Sequence, residues 1–239
     1  MGEIHRGNTM KIITWNCNGK FHESFKEIIK ENADIYVIQE CGNPIESKTE
    51  EYRRFASNYF WVGEDKYRGL GIFARDDVDI KLVDLDDNGL RYFIPVRVND
   101  SFNLLGIWTN PNKKYKTNEY PKEITRYYEL HKDSDFFNED MIICGDFNCD
   151  ARLKKTHARN VFEMKENLED IGLVDTYHYL NDEKQGEESQ ATFYMYRHLD
   201  KPYHLDHIFE SPGRIKYLKI GGEERWLKES DHLPMIFEI

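Results

Sequence analysis

No run of apolar residues in this chain approaches the ~20 that a bilayer-spanning helix needs, so no transmembrane helix is expected. The first nine residues are polar and contain no apolar core of the kind a secretory signal carries. They are expected to be a disordered extension or a tag remnant ahead of a single domain spanning 10–239. No linker, internal repeat or low-complexity tract divides that domain. Cysteine is scarce. The four, at 17, 41, 144 and 149, include no CxxC pair and no zinc-type spacing. Cys17 and Cys144 lie in apolar runs, which predicts buried free thiols and a cytoplasmic location. Positive charge is also short. At a formal net charge of −11 the chain has no overall grip on a polyanion, and a nucleic acid would need a local basic patch.

What is present is a full core. At 39% hydrophobic and 14% aromatic residues, the 239-residue chain fits one sizeable soluble domain. Lys11 to Trp15 reads as a strand, and Asn16-Cys17-Asn18-Gly19 as a turn. Phe21, Phe25, Ile28 and Ile29 recur at helical spacing, and Asp34 to Ile38 is a second strand that ends in Gln39-Glu40. This opening predicts a parallel pair joined by a crossover. A polar segment with a short helix runs through Ala56. Five strand signals then follow in quick succession: 59–62, 69–74, 78–83, 90–98 and 102–109. Helices are expected over 119–131 and 160–171, and late strands over 204–209, 215–220 and 234–239. An all-strand middle between helical stretches argues for two packed sheets covered by helices, and against a simple doubly wound parallel sheet.

The organising stretch is Met141-Ile142-Ile143-Cys144-Gly145-Asp146-Phe147-Asn148. A short apolar strand breaks at a glycine and presents a carboxylate and a carboxamide two residues apart. If strand geometry persists, both leave in the same direction. Three further polar clusters sit where strands end: Asn16, Glu40, and Asp206 with Asp231-His232. Each has an ordinary reading. Asn16 makes an Asx turn, Glu40 is a solvated strand end, Asp206 an exposed strand position, and Ser230-Asp231 a loop cap. Their joint occurrence in this order is harder to dismiss.

The set Thr14-Trp15-Asn16-Cys17-Asn18-Gly19, Ile38-Gln39-Glu40, Gly145-Asp146-Phe147-Asn148, Leu205-Asp206-His207-Ile208-Phe209 and Ser230-Asp231-His232-Leu233-Pro234 resembles the endonuclease/exonuclease/phosphatase superfamily, the group of exonuclease III and deoxyribonuclease I. Thr192-Phe193-Tyr194 followed by Lys201-Pro202-Tyr203-His204-Leu205-Asp206 is similar to a compact bacterial branch of that group. The resemblance implies a four-layer α/β sandwich with two central mixed β-sheets. It also implies hydrolysis of phosphodiester bonds aided by Mg²⁺ or Mn²⁺, but it says little about substrate. Glu40 is the expected oxygen ligand of the cation, with Asp231 contributing directly or through water. Asp146 is the candidate to orient and deprotonate the attacking water. Asn148 and Asn16 would position Asp146 and the phosphate, and His232 would donate to the phosphate with Asp206 orienting its ring. The family has a His or Tyr at the end of a middle strand, where this chain has Trp108, which does not titrate. Asn110 is the alternative there.

On the substrate side, Arg152, Lys154, Lys155, His157 and Arg159 follow the 146/148 pair closely and suggest phosphate contacts. Lys113, Lys114, Tyr115 and Lys116 form a second basic stretch. Tyr194, Tyr196 and Arg197 are candidates for a stacking or phosphate-contacting wall, with packing of Tyr194 beneath the loop the equal alternative. No apolar hairpin suited to a lipid surface is evident. The expectation is a monomeric metal-dependent nuclease acting on DNA or RNA. Its rivals are a phosphatase or phosphodiesterase for a small phosphorylated molecule, and a catalytically inactive scaffold of the same fold.

Overall fold

The computed structural model describes residues 9–110, 120–138, 140–153, 155–214 and 217–239, with backbone alone at 138 and 155–157. The N-terminal residues before Thr9, the basic stretch 113–116 and Lys154 lie outside the described residues. The chain opens with β1 (Lys11–Asn16), α1 (Phe21–Ile28), β2 (Ile35–Cys41), α2 (Glu50–Phe55), β3 (Asn58–Asp65) and β4 (Arg68–Ala74). It continues through β5 (Ile80–Leu82), β6 (Phe93–Val98), β7 (Phe102–Trp108), α3 (Tyr120–His131), α4 (Asp135–Asn138) and β8 (Met141–Asp146). After α5 (Lys155–Asp170) come β9 (Val174–Asp175), α6 (Thr176–Asn181), β10 (Phe193–Tyr194), β11 (Pro202–Tyr203) and β12 (Asp206–Glu210). The chain closes with β13 (Tyr217–Ile220), α7 (Glu223–Trp226) and β14 (Met235–Glu238).

These strands form two six-stranded mixed sheets, β13-β14-β1-β2-β4-β3 and β5-β6-β7-β8-β12-β9. The pairs β1–β2 and β7–β8 are parallel and the other pairs in the two sheets antiparallel. Strand alternation makes the layers. Ile12 of β1, Val37 of β2, Leu104 of β7, Ile142 of β8 and Ile208 of β12 meet in one cluster between the sheets. Ile13 and Trp15 face the other way, onto Phe21 and Phe25 of α1 and Tyr52 of α2. Ile143 packs outward against Tyr127 of α3 and Val161 and Met164 of α5. The result is the four-layer α/β sandwich that the resemblance implied.

Because alternate residues share a face, Asn16 continues the inward row of Ile12 and Thr14. Asp146 likewise continues Ile142 and Cys144, and Asp206 lies on the row of Ile208. Asp206 pairs directly with Asp146 in register. The same end of both sheets therefore turns polar inside the sandwich. The sequence signal for the small elements β9, α6, β10, β11 and α7 is weak. They are held by tertiary contacts, such as the Thr192 N–H donating to the Tyr203 carbonyl at 3.0 Å. All four cysteines are buried and free, as expected.

Candidate active site

Three local devices build the site. Gly145 has φ +152°, and a Cβ there would lie 1.8 Å from the Ile107 carbonyl oxygen. Only glycine lets β8 pass β7 this closely and still deliver Asp146. Glu40 sits at a bulge, where β2 slips register on β4 between Gln39 and Cys41, and its φ is +59°. A non-glycine residue there carries on the order of 1 kcal/mol of strain, and the bulge re-aims a side chain that alternation would send to the outer face. Asn148 departs from the extended geometry expected for it. Its φ of +48° folds it back, so that its N–H donates to Asp146 Oδ1 at 2.9 Å. The carboxamide then donates to Asp146 Oδ2 at 3.1 Å and to the Thr109 carbonyl at 2.9 Å.

Asn16 bridges the two sheets. Its Nδ2 donates to Asp146 Oδ2 at 2.8 Å and to Glu40 Oε1 at 3.3 Å. Its Oδ1 accepts the Asn18 N–H at 3.0 Å, so the ordinary Asx turn is present as well. His232 closes the group, with Nδ1 2.9 Å from Asp206 Oδ2 and Nε2 4.0 Å from Asp146 Oδ2. Ser230 fastens this loop, donating from Oγ to the Asn16 carbonyl at 2.7 Å and accepting the His232 N–H at 3.1 Å. The Trp15 indole donates to the His232 carbonyl at 3.0 Å. Thr192 Oγ1 accepts the N–H groups of Leu205 and Asp206 at 2.9 and 3.1 Å, which sets the start of β12.

Electrostatics follow from burial. Burial raises the Asp146 carboxyl, with Asp206 adding to it and His232 opposing, to about 7. Burial acts against charge on His232, but Asp206 and Asp146 outweigh it and push the imidazole up to about 10. The arrangement therefore pairs a carboxyl poised near neutrality with an imidazolium. Asp146, Asp206 and His232 also lie close enough to hold a cation, but His232 is already held between the two carboxylates. The better cation position is the Glu40 edge. Glu40 Oε2 is buried without a hydrogen bond, and the Arg68 guanidinium lies 2.6 Å from it. A carboxylate oxygen whose partner is a half-exposed guanidinium, beside an open cleft, fits a hard divalent cation.

That cleft holds about 440 Å³ and is lined by Glu40, Arg68, Arg91, Tyr92, Trp108, Asn110, Tyr120 and Asn148, with Glu64, Asp65 and Glu123 also on its walls. Trp108 is buried against Tyr92, with ring centroids 4.6 Å apart. Asn110 lines the cleft beside it. Asp231 is partly buried next to His232, and its charge helps hold that ring protonated. Arg68, Arg91 and Tyr120 were missed by sequence reasoning. They lie in the middle strand run and on α3, with no local motif, and only the sandwich brings them to Glu40 and Asn148.

Several substrate-side expectations need correction. Tyr194 does not form a wall. It is buried, and its hydroxyl donates to Glu223 at 2.8 Å. Arg152 is bound to the carboxylate of buried Asp150, with Nε 2.9 Å from Oδ1, so it does not present a free cation to a phosphate. Lys155 begins α5, and Lys154 lies outside the described residues. Arg197 is exposed and donates to the carbonyls of Lys228 and Glu229 at 3.2 and 3.3 Å, while Tyr196 beside it is 76% exposed.

Two facing sheets thus carry a carboxylate–amide–imidazole cluster at one shared end. The chain belongs to the endonuclease/exonuclease/phosphatase family, whose model matches residues 13–232. Among solved structures it is similar to NExo from Neisseria, a 3′ phosphatase captured with product DNA hairpin, at TM-score 0.71 and 22% identity over 95% of this chain and 98% of that one. It is also similar to the 3′-5′ exonuclease NExo from Neisseria meningitidis, at TM-score 0.70 and 23% identity over 95% and 98%. An AP endonuclease from Archaeoglobus fulgidus aligns at TM-score 0.71 and 18% identity, again over 95% and 98%. At these identities the likeness is one of fold. No curated protein matches the chain. Among the described residues, no helix is long and apolar enough to cross a membrane.

Proposed function

We propose that this chain is a divalent-metal-dependent phosphodiesterase, and that its substrate is a nucleic acid, DNA or RNA. The observation that carries the reading is the convergence of Asn16, Asp146, Asn148, Asp206 and His232 on one point beside Glu40, with every side chain held by a partner. A phosphodiester repels an attacking anion, so hydrolysis needs a positioned water, positive charge on the non-bridging oxygens and help for the leaving oxygen. Asp146, poised near neutrality, takes the proton of the attacking water. Asn16 and Asn148 fix the carboxylate through its Oδ2 and leave no freedom in its rotamer. His232, kept charged by Asp206, donates from Nε2 to a phosphoryl oxygen. Glu40 would hold Mg²⁺ or Mn²⁺, with Asp231 contributing directly or through water, and the chemistry of the bound ion is to draw charge off the phosphoryl oxygens. Arg68 rests on Glu40 in this structure and is close enough to exchange that partner for a substrate phosphate.

The nucleic-acid assignment draws support from the neighbours, one of which is bound to DNA. A second reading, a small phosphorylated molecule, is favoured by the cleft itself. Its walls carry Glu64, Asp65 and Glu123 beside Arg68 and Arg91, and Arg152 is neutralised by Asp150. The test is turnover of labelled single- and double-stranded DNA and RNA, beside a small aryl phosphodiester, in Mg²⁺, Mn²⁺ or EDTA. Cleavage of a polynucleotide that EDTA abolishes supports the first reading. Inactivity on all polynucleotides with activity on the small ester selects the second, and inactivity on every ester leaves an inactive scaffold.

A further inference from the structure

A second cluster lies behind the catalytic end of β12 and takes no part in the chemistry above. His207 follows Asp206, so its side chain leaves on the opposite face of the strand. There it meets Asp175, the last residue of β9, and His178 in the first turn of α6. Asp175 Oδ2 lies 2.7 Å from His207 Nδ1 and 3.0 Å from His178 Nδ1. These three atoms are all within 4.8 Å of one another, and all three residues are buried.

The outer atom of each residue is already held. Asp175 Oδ1 accepts the Tyr177 N–H at 3.0 Å as the cap of α6. His178 Nε2 faces Glu188 Oε1 at 3.0 Å, and His207 Nε2 faces the Cys149 carbonyl at 3.2 Å. A ring nitrogen facing such acceptors carries the N–H and leaves Nδ1 turned inward. His207 Nδ1 shares a proton with Asp175 at 2.7 Å, and that proton would be released as an ion enters. Carboxylate or carbonyl outside and the second ring nitrogen inside is how metal-bound histidines are oriented. A separate observation agrees. His178 is only 6% exposed, and its Nδ1 has no hydrogen-bond partner despite the close approach of Asp175. His204 belongs to the same group of rings, 5.2 Å from His207 between centroids, and its Nε2 is also buried without a partner.

We propose that Asp175, His178 and His207 form a structural metal site, separate from the Glu40 edge, that takes Zn²⁺ in preference to Mg²⁺. Two imidazoles and one carboxylate suit Zn²⁺, whereas Mg²⁺ demands an oxygen shell and keeps its waters. Tetrahedral bonds of about 2.0–2.1 Å set ligand atoms roughly 3.3 Å apart, so Asp175 Oδ2 would draw back by about 0.3 Å from His178 Nδ1 and about 0.6 Å from His207 Nδ1 to admit the ion. The site would tie β9, α6 and the Glu188 loop to His207 and to the Cys149 carbonyl. Those two residues adjoin Asp206 and Asn148, so the ion would brace the active site from behind.

The test uses the full chain, expressed in Zn²⁺-supplemented medium and equilibrated with free Zn²⁺ in excess Mg²⁺. Metal analysis should find one tightly held Zn²⁺ per chain in the wild type and in Glu40→Gln. Affinity should fall about 10- to 100-fold in Glu188→Gln, which keeps all three ligands and loses only the negative charge behind His178. His178→Gln should lose the ion. Co²⁺ in its place should give visible ligand-field bands of a nitrogen-rich, four-coordinate site, kept in Glu40→Gln and lost in His178→Gln. If His178→Gln fails to fold, the Glu188→Gln affinity decides. A wild type that retains no Zn²⁺, a Zn²⁺ lost with Glu40→Gln, or an affinity unmoved by Glu188→Gln would each overturn the assignment and leave a cluster held by protons alone.

Discussion

Replacing Asp206 with Asn isolates what that carboxylate does for His232. The two are 2.9 Å apart and both fully buried. Two unit charges near 4 Å at an effective dielectric of 20 interact by about 4 kcal/mol, which corresponds to roughly 3 pH units of imidazole basicity. Asp146 remains 4.0 Å away in the variant and keeps part of the support. His232 should therefore fall from about 10 toward neutrality. The sign follows. If protonated His232 donates to the phosphate, the wild type keeps it charged through pH 9, whereas the variant has largely lost it there. Activity relative to wild type should be down only several-fold at pH 6 and down by about 10² at pH 9. The assay is the pH profile of kcat on whichever ester the enzyme turns over, with the His232 ring followed by NMR. A loss that is the same at pH 6 and pH 9, or a His232 titration that does not move, would refute the reasoning. Asp206 would then act as a spacer and not as the source of the charge. A Asp206→Asn/His232→Ala double variant should be about as slow as the worse single one, because the pair acts as a unit.

Glu40→Gln should weaken Mg²⁺ binding and cut turnover by ~10² or more, and calorimetric titration that finds unchanged affinity would remove Glu40 from the cation site. Gly145→Ala forces a Cβ into the Ile107 carbonyl, so it should cost on the order of 3 kcal/mol in denaturant unfolding and displace Asp146; a variant as stable and active as wild type would contradict the packing. Burial raises the Glu210 carboxyl to about 7, opposed by Arg214. Its contribution is fully present below the ordinary carboxyl range and is lost as pH rises through 7, so Glu210→Gln should gain about 3 kcal/mol relative to wild type at pH 8 and little at pH 4.5. Equal effects at both pH values would exclude the buried acid as the cause. The Cys17 thiol, pushed up to about 12 by burial and by Glu40, and its three buried counterparts should ignore a thiol reagent in the native state and all react after unfolding.

The strand-and-helix order was legible because apolar periodicity is a local property. Ile12 to Trp15 and Met141 to Cys144 read as buried strands, and Phe21 with Phe25 as a helix face, without any knowledge of neighbours. The candidate site residues were legible for the same reason, since Asn16, Glu40, Asp146 and Asp206 each stand within a residue or two of a strand end. The geometry was not. Asn148 was expected to share a strand face with Asp146, yet a left-handed turn brings it back onto the carboxylate. Arg152 read as a phosphate contact because a charge has no visible partner in a sequence; the fold supplies Asp150 as that partner, two residues away yet buried. Tyr194 stayed open between a wall and packing beneath its loop for the same reason, until α7 placed Glu223 on its hydroxyl.

The sequence alone therefore carried the layers, the family resemblance and the acids, all of which depend on residue type and short-range spacing. Tertiary structure alone decided which polar groups are buried together. The charge on His232 depends on Asp206 and Asp146, 26 and 86 positions away along the chain, and the Asn16–Asp146 hydrogen bond spans 130 positions. Proximity of that kind comes from two sheets packing face to face, and desolvation acts only once they have closed.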